Sequence, residues 1–436
     1  MIIINMIYVL SSDNMHFIIS NNSNIYIKLD IYKENCQSYL HTSYSFQSYL
    51  HTSNIESVII YNNDNLYSKI DNICNNYNVD LQDCIEIFHY CEKNSGGLSS
   101  KRYTFAVVTF PYTETSGGIC VSHYLVDRLN YYFGDSIAYI MPAVASNINQ
   151  TWYSETAFNS IYKTPKLSRL QHAIDDNLII IYPEVIDGNP LNRQYVVRWI
   201  LYFLSLQNET ITQSSYQYQP TDYVACYSQG ICSQFNDQWH KHPLRVIELN
   251  WDMIDKVDTN RVRDIDAVYF KPFDRKRTWF DSKGVKNTLN YDSHEYMLKT
   301  SFALMNRTLI QMDGSLNKQD RLELLSRATY FISLDPATFR SIEAAMVGCL
   351  SIVIPIPGVT KTDWASVSYA PEYLQYGIAY GFEDLEHAKA TMRNVIPNLR
   401  EQDRHTREVL VNFIKDIKNY FNLHPDFLKD KLDRIE

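Results

Sequence analysis

The sequence predicts an α/β chain made of two doubly wound, parallel-sheet domains in tandem. Three observations carry this expectation. From Lys101 onward, short apolar runs without polar alternation recur between helix-like stretches, the pattern of strands covered on both faces. The polar interval "DMIDKVDTNRVRD", Asp252 to Asp264, interrupts the series, and a second alternating series follows it. A chain of 436 residues is also too long for one ordinary core. The expected division is a divergent N-terminal region over 1–100, a first domain over 101–255 and a second over 256–436 with terminal helices.

The first hundred residues are the least regular. "MIIINMIYVL" reads as a first strand and not as a signal peptide, because it lacks a basic flank and a small-residue cleavage site. "HFIIS", "NIYIKLDIY" and "SVIIY" are strand-like runs between Asn-rich turns. "QSYLHTSYSF" from Gln37 is followed by "QSYLHTS" from Gln47. Two copies are too few for a solenoid, so this reads as a local duplication in an exposed loop or helix. His41 and His51 gain no chemistry from it.

The first regular series opens with the strand "TFAVVTF", the glycine loop "PYTETSGGI" and the helix "GICVSHYLVDRLNYY", which has Val121, Leu125 and Leu129 on one face. "SIAYIMP" and "NLIIIYPEV" read as strands, "NRQYVVRWILYFLS" as a helix, and "DYVACYS" and "LRVIEL" as strands. The second series runs through the strand "DAVYFK", the helix "SHEYMLKTSFALM", the strand "TLIQMDG", the helix "NKQDRLELLSRA" and the strand "TYFISL". The helix–strand unit "SIEAAMVGCLSIVIP", the strand "YGIAYGF" and a helical region from about Leu385 complete it.

Composition narrows the function. Hydrophobic content of 45% and charged content of 20% fit a soluble globular chain. The 34 tyrosines, with abundant Asn and Ile, are read as codon bias of an AT-rich genome. A net charge of −9 without a basic stripe argues against nucleic acid as a partner. No run reaches the roughly 18 apolar residues of a membrane helix. The eight cysteines contain no CxxC pair and no zinc spacing, so a reduced, cytoplasmic protein without a metal or bound cofactor is expected.

The chemistry concentrates in "TYFISLDPATFRSIEAAMVGC", where Asp335 precedes Glu343 in an Asp-x7-Glu spacing just beyond a strand. Asp335 followed by Pro336 reads as an N-cap with proline in the first helical turn. This stretch resembles the donor-binding segment of GT-B glycosyltransferases, in particular the acidic-x7-Glu, bacterial polysaccharide-building kind. The resemblance covers roughly Thr104 to Phe421 and implies two Rossmann-like domains facing across a cleft. It implies that Glu343 accepts hydrogen bonds from the donor's ribose, that Asp335 is the sugar-side acid, and that Thr338 belongs to the donor site. Two departures stand out: the first acid is Asp where the family has Glu, and "PAT" replaces a Gly-Phe-Gly.

The resemblance also puts a phosphate-binding cation near "KPFDRKR", with Lys271 and Arg275 as candidates, while Lys276 and Arg277 read equally well as a solvated run. Gly117 and Gly118 open the first helix, where backbone can approach a ligand closely. His123, on a polar face with Asp127 and Asn130, is either a surface histidine or a group that orients substrate or acts as a base. In "IYPEVIDGNPL", Glu184 is a candidate acceptor contact, and Asp187, Gly188 and Asn189 form a turn.

The expected activity is transfer of a sugar from a nucleotide-diphosphate donor to a hydroxyl of a glycan or lipid-linked acceptor, with at most peripheral membrane association. Two rivals remain open from sequence: a sugar-nucleotide epimerase of the same fold, and a non-catalytic glycan-binding protein.

Overall fold

The computed structural model describes residues 5–11, 14–20, 25–34, 37–46 and 55–60, then most of 103–432; the longest stretches outside the description after residue 103 are 143–161 and 202–217. Contacts divide the chain into two compact units, Met1–Thr104 with Lys166–Leu178, and Phe105–Pro165 with Ile179–Glu436.

In the smaller unit, β1 (Asn5–Ser11), β2 (Asn14–Ser20), β3 (Ile25–Glu34), β4 (Gln37–Phe46) and β5 (Ile55–Ile60) form an antiparallel meander in chain order. The first copy of the duplicated decapeptide is strand β4, not a loop or helix. Its Tyr, Thr and Phe favour extended backbone. The second copy lies outside the described residues.

The larger unit holds two parallel sheets. The first contains β6 (Thr104–Thr109), β7 (Ala138–Pro142), β8 (Leu178–Pro183), β9 (Tyr195–Ile200), β10 (Tyr223–Cys226) and β11 (Lys241–Pro243), in the order β11-β10-β9-β8-β6-β7. Helix α1 (Gly117–Phe133) links β6 to β7, α2 (Gln229–Cys232) follows β10, and α3 (Trp251–Ile254) leads out. The second sheet contains β12 (Ile265–Phe270), then, beyond the hairpin β13 (Lys276–Phe280) and β14 (Lys286–Asn290), β15 (Leu309–Gln311), β16 (Ala328–Ser333), β17 (Leu350–Val353) and β18 (Ile378–Tyr380). Its order is β15-β12-β16-β17-β18, with every neighbouring pair parallel. Its helices are α4 (Tyr291–Leu304), α5 (Lys318–Arg327), α6 (Arg340–Met346), α7 (Lys361–Val367), α8 (Leu385–Thr391) and α9 (Val395–Tyr420).

Three local expectations are corrected. "NRQYVVRWILYFLS" holds strand β9, not a helix. Val196, Val197, Trp199 and Ile200 are all buried, and a fully buried strand shows the same continuous apolar run as a buried helix. "LRVIEL" buries Leu244, Val246, Ile247 and Leu249 but forms no ladder; the pairing with β10 stops at β11. The chain also carries a disulfide, Cys226–Cys232, where reduced thiols were expected; Cys120 and Cys349 are free and buried.

Both sheets reverse direction at their first strand. β6 has β7 on one side and β8 on the other, and β12 has β15 on one side and β16 on the other. Such a switch point leaves a crevice beyond the carboxyl ends of the two diverging strands. Helix α9 belongs to both halves of this unit. Val395 and Leu399 pack into the core of the second sheet, while Phe413 stacks 6.2 Å from Phe105 and Asp416 accepts a 2.6 Å bond from Tyr223 of the first.

Candidate active site

A cavity of about 410 Å³ lies beyond the carboxyl ends of both sheets at their switch points. The first sheet supplies Glu114 to Gly118 after β6 and Glu184 after β8; the second supplies Phe270 at the end of β12 and Asp335, Thr338, Arg340 and Glu343 after β16. Two doubly wound halves that share a cavity at their switch points form the GT-B arrangement expected from the sequence.

On the first side, Gly117 and Gly118 start α1, and Ser116 at its N-cap makes no side-chain cap bond. Among the described residues the N–H groups of Gly117, Gly118 and Ile119 have no acceptor, so a positive helix end opens into the cavity. A Cβ at Gly117 would meet nothing within 4 Å. Glu184 takes a 3.1 Å bond from the Leu201 N–H, and Tyr218 donates to its backbone oxygen at 3.1 Å. Burial pushes the Glu184 carboxyl above its usual 4.5, against the pull of its backbone hydrogen bonds. Cys120 donates to the Thr113 carbonyl, and burial, then the charge of Glu248, push its thiol up to about 12.

On the second side, β16 ends at Ser333, whose hydroxyl donates to the Asp335 carbonyl at 2.6 Å. The helix that follows begins at Arg340, not at Pro336, so Asp335 is a turn residue and not the expected N-cap. The Pro336 carbonyl is held instead by the Trp364 indole at 2.7 Å. Glu343 sits in the first turn of α6, and Arg321 of α5 grips both its oxygens, Nε to Oε2 at 3.0 Å and Nη2 to Oε1 at 2.8 Å. Both side chains are about fully buried, 5% and 3% exposed. Burial alone would lower the Arg321 pKa, but the Glu343 hydrogen bonds and charge outweigh it and raise it. At the far end of α6, Gly348 adopts φ 74° while Arg263 reaches the Val347 carbonyl at 2.8 Å, a close approach that a side chain at position 348 would obstruct.

The first turn of α5 ties the two sheets together. Lys318 donates its ammonium to Glu248 at 2.7 Å and its backbone N–H to Glu114 at 2.7 Å. Arg321 reaches the Glu114 carbonyl at 3.3 Å and the Leu316 carbonyl at 2.8 Å. Tyr162 also donates to Glu248.

Arg340 is different from these cations. Its guanidinium lies 3.8 Å from the centroid of the Phe270 ring. Nη2 makes a 3.3 Å bond to the Gly314 carbonyl, and Nη1 is buried with no partner among the described residues. Burial, then the charge of Arg321, lower its pKa.

The cavity therefore gathers Asp335, Glu343, Thr338, Glu184, Gly117 and Gly118. Lys271 is not in its lining: the ammonium is held by Asp292 at 2.5 Å and Glu295 at 2.7 Å, because β12 ends beside the first turn of α4. Arg275 lies outside the described residues. His123 is not on a polar surface but fully buried, its Nε2 at 3.2 Å from the Phe110 carbonyl and its ring edge-on to Tyr112 at 5.3 Å. Burial lowers its pKa below 6.5, so the neutral ring braces the loop after β6 and is not among the cavity lining. Asp127 pairs with Arg128, and Asn130 braces Ile137 and Ala138.

Sequence reading missed Glu114, Glu248, Lys318, Arg321 and Arg340. One signal was present: Lys318, Arg321, Leu322 and Leu325 follow the i, i+3, i+4, i+7 rhythm of a buried face, and two of the four are cations. Among the described residues no cluster of His, Cys, Asp or Glu is arranged to hold a metal, and no helix is long and apolar enough to cross a membrane.

No family model matches the chain, and no curated protein matches it. Among solved structures, it is similar to one titled "OtsA apo structure", at 11% identity and a TM-score of 0.39 over 75% of this chain and 99% of that one.

Proposed function

We propose that this chain is a glycosyltransferase that moves a sugar from a nucleotide-diphosphate donor to a hydroxyl of a glycan or lipid-linked acceptor. The observation that carries the reading is the cavity at two facing switch points, with a glycine-opened helix start on one side and Asp335 and Glu343 on the other. Glu343 is the ribose ligand. An ionised carboxylate offers about four acceptor positions, so the two bonds from Arg321 leave room for ribose hydroxyls. Arg321 holds both carboxylate oxygens and so fixes the rotamer of Glu343. Asp335 faces the donor sugar. Glu184 takes the acceptor hydroxyl's proton, a role suited to a carboxyl whose affinity for protons is raised by burial. The ties from α5 to Glu114 and Glu248 hold the halves closed around the reactants and keep water from the donor. The donor is a substrate, and no resident cofactor enters the scheme. The acceptor is met in the cytoplasm, with at most peripheral contact with a membrane.

A panel of nucleotide sugars screened for binding by calorimetry, then incubated with glycan and lipid-linked acceptors, tests the reading. The anomer of the product, assigned by NMR, gives the stereochemistry, and retention is expected. If no nucleotide sugar binds, the reading is lost; donor isomerisation without an acceptor would select an epimerase instead.

A further inference from the structure

We infer that Arg340 is the anion-binding residue of the cavity and holds a phosphate or diphosphate group, a task for which the family resemblance had made Lys271 and Arg275 the candidates. The inference rests on the glycosyl-transfer reading only for naming the anion as a donor's leaving diphosphate. The cations of this region differ in how they are occupied. Lys318 is consumed by Glu248, Arg321 by Glu343 and two carbonyls, and Lys271 by Asp292 and Glu295 outside the lining. Arg340 alone among these four makes no ion pair among the described residues, and its Nη1 is buried without an acceptor.

A buried donor left unmade is costly unless something supplies the missing oxygen. The guanidinium is also oriented. Stacked at 3.8 Å on Phe270, it has its flat face covered, which leaves the N–H edge for hydrogen bonding. A planar fork presented edge-on matches the two oxygens of a phosphate. The unpaired N–H groups at the start of α1, where Gly117 and Gly118 line the cavity, add positive potential. The carboxylates of Glu343 and Glu248 are already countered by Arg321 and Lys318.

Calorimetric titration with inorganic pyrophosphate tests this. The wild-type chain is expected to bind it, Arg340→Gln to weaken binding by about tenfold or more, and Lys271→Ala to stay within about twofold. Unchanged affinity in Arg340→Gln, loss in Lys271→Ala instead, or no binding by the wild type overturns the inference. Should Arg340→Gln fail to fold, Arg340→Lys decides, because it keeps the charge and loses the fork: a loss of about threefold or more upholds the bidentate contact, and unchanged affinity overturns it. A parallel titration with a nucleoside diphosphate, expected to lose affinity in the same variants, separates a donor's diphosphate from free pyrophosphate as the ligand. Pyrophosphate bound through Arg340 while no nucleotide sugar binds would keep the subsite and remove the transferase reading. Sugar transfer at full kcat in Arg340→Gln would do the reverse.

Discussion

Glu343 and Arg321 are buried together, and each makes the other's burial tolerable. Glu343→Ala leaves a guanidinium without its counter-charge, which costs about 3–5 kcal/mol. The paired variant Glu343→Met with Arg321→Met should recover most of that loss, since a packed apolar pair of similar volume replaces a buried ion pair at little cost. Urea unfolding of the single and double variants measures this, and a double variant as unstable as Glu343→Ala would refute the strut. Glu184 gives a pH signature. Its folded pKa is raised, so the folded state holds the proton more tightly than the unfolded chain, and stability falls as pH rises from about the unfolded value of 4.5 through the folded pKa. Glu184→Gln keeps an acceptor for the Leu201 N–H and removes the ionisation. Its stability should therefore decline less than the wild type's over that window, as followed by unfolding midpoints at successive pH values; parallel declines would reject the raised pKa. Asp335 and Glu184 were legible because each follows a strand almost directly and so must sit at a carboxyl end, and Glu343, inside the helix after β16, was legible through its spacing from Asp335. Glu248 was not, because it comes to the cavity from a distant segment through packing, and Arg321 showed only as a cation on the buried face of α5, with nothing to name its partner.

At the scale of elements, sequence identified most strands and helices of the larger unit, and it failed where burial erased periodicity. β9 is buried on nearly every residue, and its Arg198 sits inside the core on Asp222 at 2.8 Å, with the Ile186 carbonyl at 3.1 Å and the Gly188 carbonyl as further acceptors. An arginine inside an apolar run reads as the polar edge of a helix until its partner is known, and Asp222 lies 24 residues further along the chain. Helix α1 shows the opposite case, with both its periodicity and its glycine start legible. Its first residue yields a prediction that separates fold from function. A side chain at Gly117 meets nothing within 4 Å, and an acid at the first turn of a helix is favourable by about 0.3–1 kcal/mol. Gly117→Asp should therefore melt at or above the wild-type temperature, yet lose affinity for nucleotide sugar through the negative charge placed in the cavity. Calorimetry paired with thermal melts checks both halves; unaltered affinity would move the ligand away from the α1 start.

At the scale of the whole molecule, the question is why two sheets with separate cores should behave as one body. Chains of this size often unfold in stages, because each core is stable on its own terms. Here α9, 26 residues long, is shared. Its first turns bury Val395 and Leu399 in the second sheet's core, and its last turns bury Phe413 against Phe105 of the first. Between them Asp403 accepts from Tyr124 and from Trp251, and further on Asp416 accepts from Tyr223 and pairs with His240. Neither half can shed the helix without exposing apolar surface of its own, so loosening at one end is felt at the other. Leu399→Ala and Phe413→Ala remove side chains that are 1% and 0% exposed, and each should cost about 2–5 kcal/mol. Hydrogen exchange in rising urea locates where that cost falls. Amides of β8 and β9 report the first sheet, and those of β16 and β17 the second. If α9 couples the halves, each substitution lowers the midpoints of both sets together. If Phe413→Ala loosens only β8 and β9, the helix merely rests on the first sheet, and the geometry of the cavity between the switch points must be held by the α5 contacts to Glu114 and Glu248 alone.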